Sequence, residues 1–317
     1  MTSVDISCRS LIRAFRADHP TDHVLELRFA ECRIRVKVNR FDIALRLGEY
    51  FSPFRDDAGA PDMEITVHEA PEPRFSVPFD IKPPDPGKDK IKEEYVSTPD
   101  GRIVRKRLTG MVFLFGGGEH LAIGPCLANL NQIVNFINNR FIEWQLCRGN
   151  LLGHADGVQW KGRGLALAGF SGAGKSTLAL HIMSMGATFV SNDRLMIEKS
   201  GHGLMMRGVA KLPRINPGTI LNNPDLNDVM TEAERERFSK LPSPELWKLE
   251  HKYDADIESC FGPDRFTLES PMDALAILSW RRGRGAAACR PVVLDERADR
   301  LPAFMKETGL FFNPDNS

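Results

Sequence analysis

The segment Gly169-Phe170-Ser171-Gly172-Ala173-Gly174-Lys175-Ser176 restricts the fold more than any other feature of this 317-residue chain. It stands between two stretches of different character. Leu165 to Ala168 is a compact apolar run, suited to a buried strand. Thr177 to Met185 has helical composition, with Leu178, Ile182 and Met185 on one side. Ala187 to Ser191 then reads as another buried strand. Strand, glycine-rich turn, helix and strand is the order of a βαβ unit, so an α/β fold is expected here.

The spacing is GxxxxGK[ST], and phosphate binding needs those residue types. Glycines let backbone N–H groups turn inward onto phosphate oxygens. The helix that starts near Lys175 turns its positive end to the same anion. Lys175 can reach the β- and γ-phosphates as a mobile point charge, and the Ser176 hydroxyl can take one position on Mg²⁺. The expected nucleotide-binding residues are Gly169, Phe170, Ser171, Gly172, Ala173, Gly174, Lys175, Ser176 and Thr177, with ATP and Mg²⁺ as cofactors. The alternative is a glycine turn with an incidental Lys-Ser pair.

Ser191-Asn192-Asp193-Arg194 follows the next strand. In a βαβ unit it comes to the same sheet edge as the loop. Asp193 there can hold Mg²⁺ with Ser176, orient a hydroxyl nucleophile, or simply close a turn. His154, in Gly153-His154-Ala155, precedes the loop strand. A lone histidine is more often structural than catalytic.

Before this unit the pattern differs. Leu25, Leu27 and Phe29 alternate on odd positions, then Cys32, Ile34, Val36 and Val38 on even ones. The parity change near Ala30-Glu31 predicts a bulge or a tight turn between strands. Further strands are expected at 63–67, 95–97, 103–108 and 111–115, so residues 1–125 read as an antiparallel β-rich N-terminal domain. Residues 81–94 have loop composition. Leu130, Ile133, Val134, Ile137, Phe141 and Ile142 recur at helical spacing, predicting a connecting helix over 126–149. Residues 150–317 form the expected nucleotide-binding domain. Thr231-Glu232-Ala233-Glu234 fits a capping box.

Acidic and basic residues balance at 42 each, so no global field draws the chain to nucleic acid or anionic lipid. No run approaches the length and apolarity of a membrane span. The six cysteines form no CxxC pair. They suggest reduced thiols and a cytoplasmic protein. Arg281-Arg282-Gly283-Arg284 is a local basic cluster, and 225–252 is densely charged. Solvated surface is the common explanation for both.

The segment from His154-Ala155 through Gly162-Arg163-Gly164 to Lys175-Ser176-Thr177, together with Ala187-Thr188-Phe189-Val190-Ser191-Asn192-Asp193-Arg194, resembles the HPr kinase/phosphorylase superfamily. Within it, the HPr-kinase-related kinase B subgroup is the nearest pattern, over residues 150–220. The resemblance implies a P-loop kinase core related to phosphoenolpyruvate carboxykinase. It implies Mg²⁺-dependent transfer of a phosphoryl group to a hydroxyl, with catalytic roles for Asp193, His154 and Lys175. It also implies assembly into a homo-oligomer through the kinase domain. Met206-Arg207-Gly208-Val209 looks like the family's Arg-Gly signature. Two departures stand out. Asn192 replaces the first acid of an Asp-Asp pair, and Met205 stands where a glutamate is usual. Both remove negative charge, so the reverse phosphorolysis is not expected.

Two functional classes follow. One is an ATP-dependent kinase acting on an unidentified hydroxyl acceptor, a protein serine or a small molecule. The other is an ATP-binding regulatory or scaffolding module with little phosphotransfer.

Overall fold

The computed structural model of the chain describes residues 7–84, 89–201, 203–249, 251–279, 286 and 288–312. It forms two units, Met1–Arg148 with Thr308–Ser317, and Gly149–Glu307.

In the first unit the two alternating runs become strands β1 (His23–Phe29) and β2 (Cys32–Val38). Phe29 pairs with Cys32, and Ala30 between them takes a φ of +54°. The parity change is therefore a tight hairpin turn, which resets the face each strand buries. The sheet continues through β3 (Met63–Glu69), β4 (Asp80–Ile81), β5 (Glu93–Thr98), β6 (Gly101–Lys106), β7 (Met111–Gly116) and β8 (Glu119–Gly124). The strand order is β1-β2-β3-β8-β7-β6-β5-β4. The expected antiparallel sheet is in fact mixed, because β3 runs parallel to both β2 and β8. Helix α1 (Cys8–Asp18) packs Cys8 and Ile12 with Val96, Ile103, Leu114 and Leu121. Helix α2 (Phe41–Tyr50) lies in the connection between β2 and β3. That crossover is long enough to return the chain to the starting edge, which a parallel pair requires.

Helix α3 (Leu130–Leu146), read above as a connector, falls within the first unit. Its burial extends beyond the apolar stripe to Asn138, Asn139, Arg140 and Gln145. A buried guanidinium is costly unless its charge is answered. Arg140 pairs with Glu143, donates to the Phe311 carbonyl and lies 4.0 Å from the Phe115 ring centroid. Phe311 also packs against Phe113. The stretch from Thr308 thus groups with the first unit, at the end of the range assigned above to the second domain. Residues 85–88 of the 81–94 loop, and the 281–284 cluster, lie outside the described residues.

The second unit contains β9 (Leu151–Gly153), β10 (Ala155–Trp160), β11 (Arg163–Ala168), helix α4 (Lys175–Ser184), β12 (Thr188–Ser191), β13 (Leu195–Ser200) and β14 (Gly203–Arg207). It continues with the pair β15 (Arg214–Ile215) and β16 (Tyr253–Asp254), then β17 (Glu269–Pro271) and β18 (Ala274–Ile277). Helix α5 (Pro217–Leu221) and helix α6 (Glu232–Ser239) lie between β15 and β16, and α6 starts on the capping box expected at Thr231 and Glu234. One sheet has the order β12-β10-β11-β18 and another β17-β14-β13-β9.

The expected βαβ order is present with one strand inserted. β10 is antiparallel to both β11 and β12 and lies between them. The outgoing ends of β11 and β12 therefore meet the incoming start of β10 at one sheet edge: Ala155 pairs with Ala168, and Gly157 with Ser191. Both faces of this sheet are covered. Leu167, Val158 and Phe189 pack with Leu180 and Met183 of α4. Ala166, Ala168 and Val190 pack with Leu195 and Met206 of the other sheet. This explains the unbroken apolar run in β11. Full burial of a side chain such as Leu167 contributes about 1.5–3 kcal/mol. Among the described residues no helix is long and apolar enough to cross a membrane.

Candidate functional site

The glycine-rich loop leaves the end of β11 and enters α4 at Lys175. Gly172 and Gly174 have φ values of +78° and +86°, which strain any residue with a Cβ. A Cβ at either position would have no neighbour within 4 Å, so the loop opens onto free space. Gly174 stands at the N-cap of α4, and the first amides of a helix have no intrahelical partner. Unpartnered amides at a helix start, beside a loop with open space, suit an anion. The Lys175 side chain curls back across the loop and donates to the Gly169 carbonyl at 2.8 Å. Phe170 and Ser171 are exposed at the rim, and Ala173 donates its amide to the Phe170 carbonyl at 3.0 Å. Thr177 faces away to Thr219 of α5, with the hydroxyls 2.8 Å apart.

At the same edge, the start of β10 presents Asp156, a carboxylate that the sequence reading did not single out. It is fully buried. The Asn192 amide donates to Asp156 Oδ2 at 2.9 Å and to Ser176 Oγ at 2.7 Å. Ser176 also hydrogen-bonds to Asp156. The Asp193 backbone N–H donates to Asp156 Oδ1 at 2.8 Å. Burial pushes the Asp156 carboxyl up to about 6, against those hydrogen bonds and the nearby Lys175 ammonium. Ser176 and Asp156 oxygens thus converge on one hydrogen-bonding nitrogen. This arrangement of hard oxygen donors fits a small divalent cation. Among the described residues no three His, Cys, Asp or Glu side chains gather as a metal cluster. Mg²⁺ at a phosphate site does not need one, because phosphates and water complete its shell.

Asp193 is held differently. Its φ is +66°, a left-handed conformation that aspartate tolerates better than most residues. Its half-exposed carboxylate takes His154 Nε2 at 3.1 Å on Oδ1 and Lys306 Nζ at 2.7 Å on Oδ2. Partial burial works to raise its pKa. The His154 hydrogen bond and the Lys306 charge outweigh it and hold Asp193 well below the usual carboxylate range. Lys175 is depressed, first by burial and then by the Lys306 ammonium, while Asp156 and Asp193 pull it back up. The structure therefore groups Ser176 with Asp156 and Asn192, and Asp193 with His154 and Lys306. Two buried or half-buried cations stand close by. Arg194 is lowered by burial, and Lys211 is lowered to about 8 by burial and then by Arg194.

The turn that carries Asn192 and Asp193 is tied to the rest of the unit. Ser191 Oγ donates to the Arg194 carbonyl and accepts from the Val209 amide. Gly208 must lack a side chain, because a Cβ there would meet the Val190 carbonyl oxygen at 2.1 Å. Arg207 beside it pairs with Glu198 and Glu269. Glu198 is the register partner of Met205 across the strand pair.

No family profile matches the chain, and no curated protein matches it. Among solved structures it is similar to the Hpr(Ser) kinase/phosphatase from Coxiella burnetii, at 16% identity and a TM-score of 0.28. The match covers 44% of this chain and 66% of that one, just under two thirds of that protein's length.

What separates the site from its sequence image is Asp156 and Lys306. Asp156 had one local signal, a lone acid in the otherwise apolar or small run Ala155-Asp156-Gly157-Val158. Lys306 had none, since it stands 113 positions from Asp193.

Proposed function

We propose that the second unit binds ATP through Gly169–Ser176 and transfers its terminal phosphoryl group to a hydroxyl of a protein or small molecule. The observation that carries this reading is the convergence at one sheet edge. The open glycine loop, the Ser176–Asp156 oxygens and the half-exposed Asp193–His154 pair all lie there. Phosphoryl transfer asks a protein mainly for positioning and charge stabilisation. In this reading Ser176 and Asp156 would hold Mg²⁺, which would supply charge neutralisation to the phosphates. Asp156 is fully buried, so it cannot reach an acceptor. Asp193 can, because its carboxylate is 54% exposed and an ionised carboxylate offers about four acceptor sites. The acceptor oxygen would attack the γ-phosphorus while the bond to the β–γ bridging oxygen breaks. ADP leaves with that electron pair, and the hydroxyl proton leaves toward the Asp193–His154 pair. A core related to phosphoenolpyruvate carboxykinase, as the family resemblance implies, is compatible with this arrangement.

A second reading has one specific observation behind it. The Asn192 amide bridges Ser176 and Asp156, where a family acid would add a negative charge. In that reading the unit binds nucleotide and signals its presence without transferring phosphate. Transfer of label from γ-labelled ATP to any component of a cell extract separates the two.

Lys175→Ala tests the part that both readings share. It is expected to weaken ATP binding by about 1.5–3 kcal/mol, the scale of a charge-assisted hydrogen bond. Calorimetry on the folded variant measures this, and an unchanged affinity removes the phosphate-loop reading.

A further inference from the structure

The site described so far is built from the strand, loop and helix around Gly169. One more charged group reaches it from late in the chain. Residues 294–303 form 3₁₀ turns, and the next residues run as a strap beside the start of the loop. Gly169 donates its amide to the Ala303 carbonyl at 3.1 Å, and His154 donates its own to the Phe304 carbonyl at 2.6 Å. Gly153 and Met305 form an antiparallel bridge. The Phe304 ring lies over Gly153 so closely that a Cβ there would meet it at 2.8 Å. The strap is thus registered on the first residue of the phosphate loop and on the histidine that holds Asp193. Its next residue, Lys306, places Nζ 2.7 Å from Asp193 Oδ2 and 3.3 Å from the Asp193 carbonyl oxygen.

We propose that Lys306 is a second phosphate-contacting residue, which leaves Asp193 for the terminal phosphate when a nucleoside triphosphate occupies the loop. The inference rests on the nucleotide reading of Gly169–Ser176. Lys306 touches Asp193, and the Asp193 charge also acts on Lys175, so both ammonium groups share one acid. A terminal phosphate on the loop would bring a further anion to both ammonium groups; Asp193 acts on both but touches Lys306, while Lys175 Nζ donates to the Gly169 carbonyl. The acid is the fixed partner: its backbone is tied to Asp156 and its φ is left-handed. The lysine is the movable one, a point charge on a flexible four-carbon stem. The competing idea is a plug that keeps a divalent cation out. It fits less well, because the oxygens that converge are those of Ser176 and Asp156, and Lys306 touches neither acceptor of that pair in its described contacts.

The experiment compares ADP with the non-hydrolysable β,γ-imido analogue of ATP, in Mg²⁺, by calorimetry. It uses the full chain, Lys306→Met, Lys306→Arg and Lys175→Ala, with melting temperature as the folding control. Lys306→Met is expected to lower affinity for the triphosphate roughly 10- to 100-fold, the range of a lost charge-assisted hydrogen bond. Its ADP affinity should stay within about twofold of the original chain. Lys306→Arg should recover most of the triphosphate affinity. Equal affinity of Lys306→Met and the original chain for both nucleotides overturns the inference. So does tighter binding by Lys306→Met, which would make the lysine a plug. If Lys175→Ala loses binding while Lys306→Met keeps it, only the Lys306 inference fails. If the original chain binds neither nucleotide, the phosphate-loop reading fails and takes this inference with it.

Discussion

Asp156→Asn is expected to cut phosphoryl transfer by roughly 100-fold or more, the scale of removing a well-placed charged group from a reacting site. The substitution keeps the shape of the side chain and removes its charge. Asp156 is the carboxylate that shares hydrogen bonds with Ser176 and Asn192. Without it, nothing negative faces Ser176 from β10. A second readout separates this role from mere architecture. In the unchanged chain, Mg²⁺ should strengthen ATP binding; in Asp156→Asn that gain should largely disappear. The melting temperature will also fall if the Asp193 amide loses its acceptor at Oδ1. A variant that melts lower but keeps both its Mg²⁺ dependence and its turnover would make Asp156 a turn anchor only. The same variant bears on the non-transferring reading. There, Asp156→Asn would change nucleotide affinity with no transfer to lose.

How much of this was legible in the sequence depends on how local each feature is. The loop, α4 and the turn at Asn192-Asp193 are set by glycine spacing and short-range apolar periodicity. Those signals survive without tertiary context. The hairpin at Ala30 was half legible: the parity change marks it, but a bulge gives the same pattern. The mixed sheet was not legible, because the direction of β3 follows from the crossover through α2 and not from the strand's own residues. The helix α3 misleads for a different reason. Asn138, Asn139 and Arg140 look like a solvent face, yet they are buried, with Arg140 paired to Glu143 and the Asn138 amide donating to the Val134 carbonyl. Asp156 belongs with these non-local cases. Its partners lie on Ser176 and on the turn after β12, and they meet it only because β10 runs antiparallel between β11 and β12. A strand inserted into a βαβ unit is invisible to periodicity, since each strand keeps its own alternation whichever neighbour it pairs with.

The exposed acid of the site gives the last expected result. Asp193→Asn should lower phosphoryl transfer by roughly 100- to 10,000-fold, the usual worth of acid–base assistance at a reacting group, while ATP affinity changes far less. The separation follows from where the side chain stands. Its carboxylate is turned to His154 and Lys306 and remains 54% exposed, whereas the loop and Ser176 are held by other contacts. An amide in its place cannot accept a proton as a carboxylate does, and it leaves the Lys306 ammonium without its partner charge. The backbone effect should be small, because asparagine also tolerates the left-handed φ of +66°. Asn192→Asp provides the opposite perturbation. It puts a second carboxylate beside Asp156 and Ser176, so it should leave transfer unchanged or raise it, and strengthen the Mg²⁺ dependence of binding. Turnover, ATP affinity with and without Mg²⁺, and melting temperature on both variants decide the matter. A folded Asp193→Asn protein with near-normal transfer would eliminate Asp193 as the group that meets the acceptor. A parallel loss of affinity and transfer would instead place it with the nucleotide.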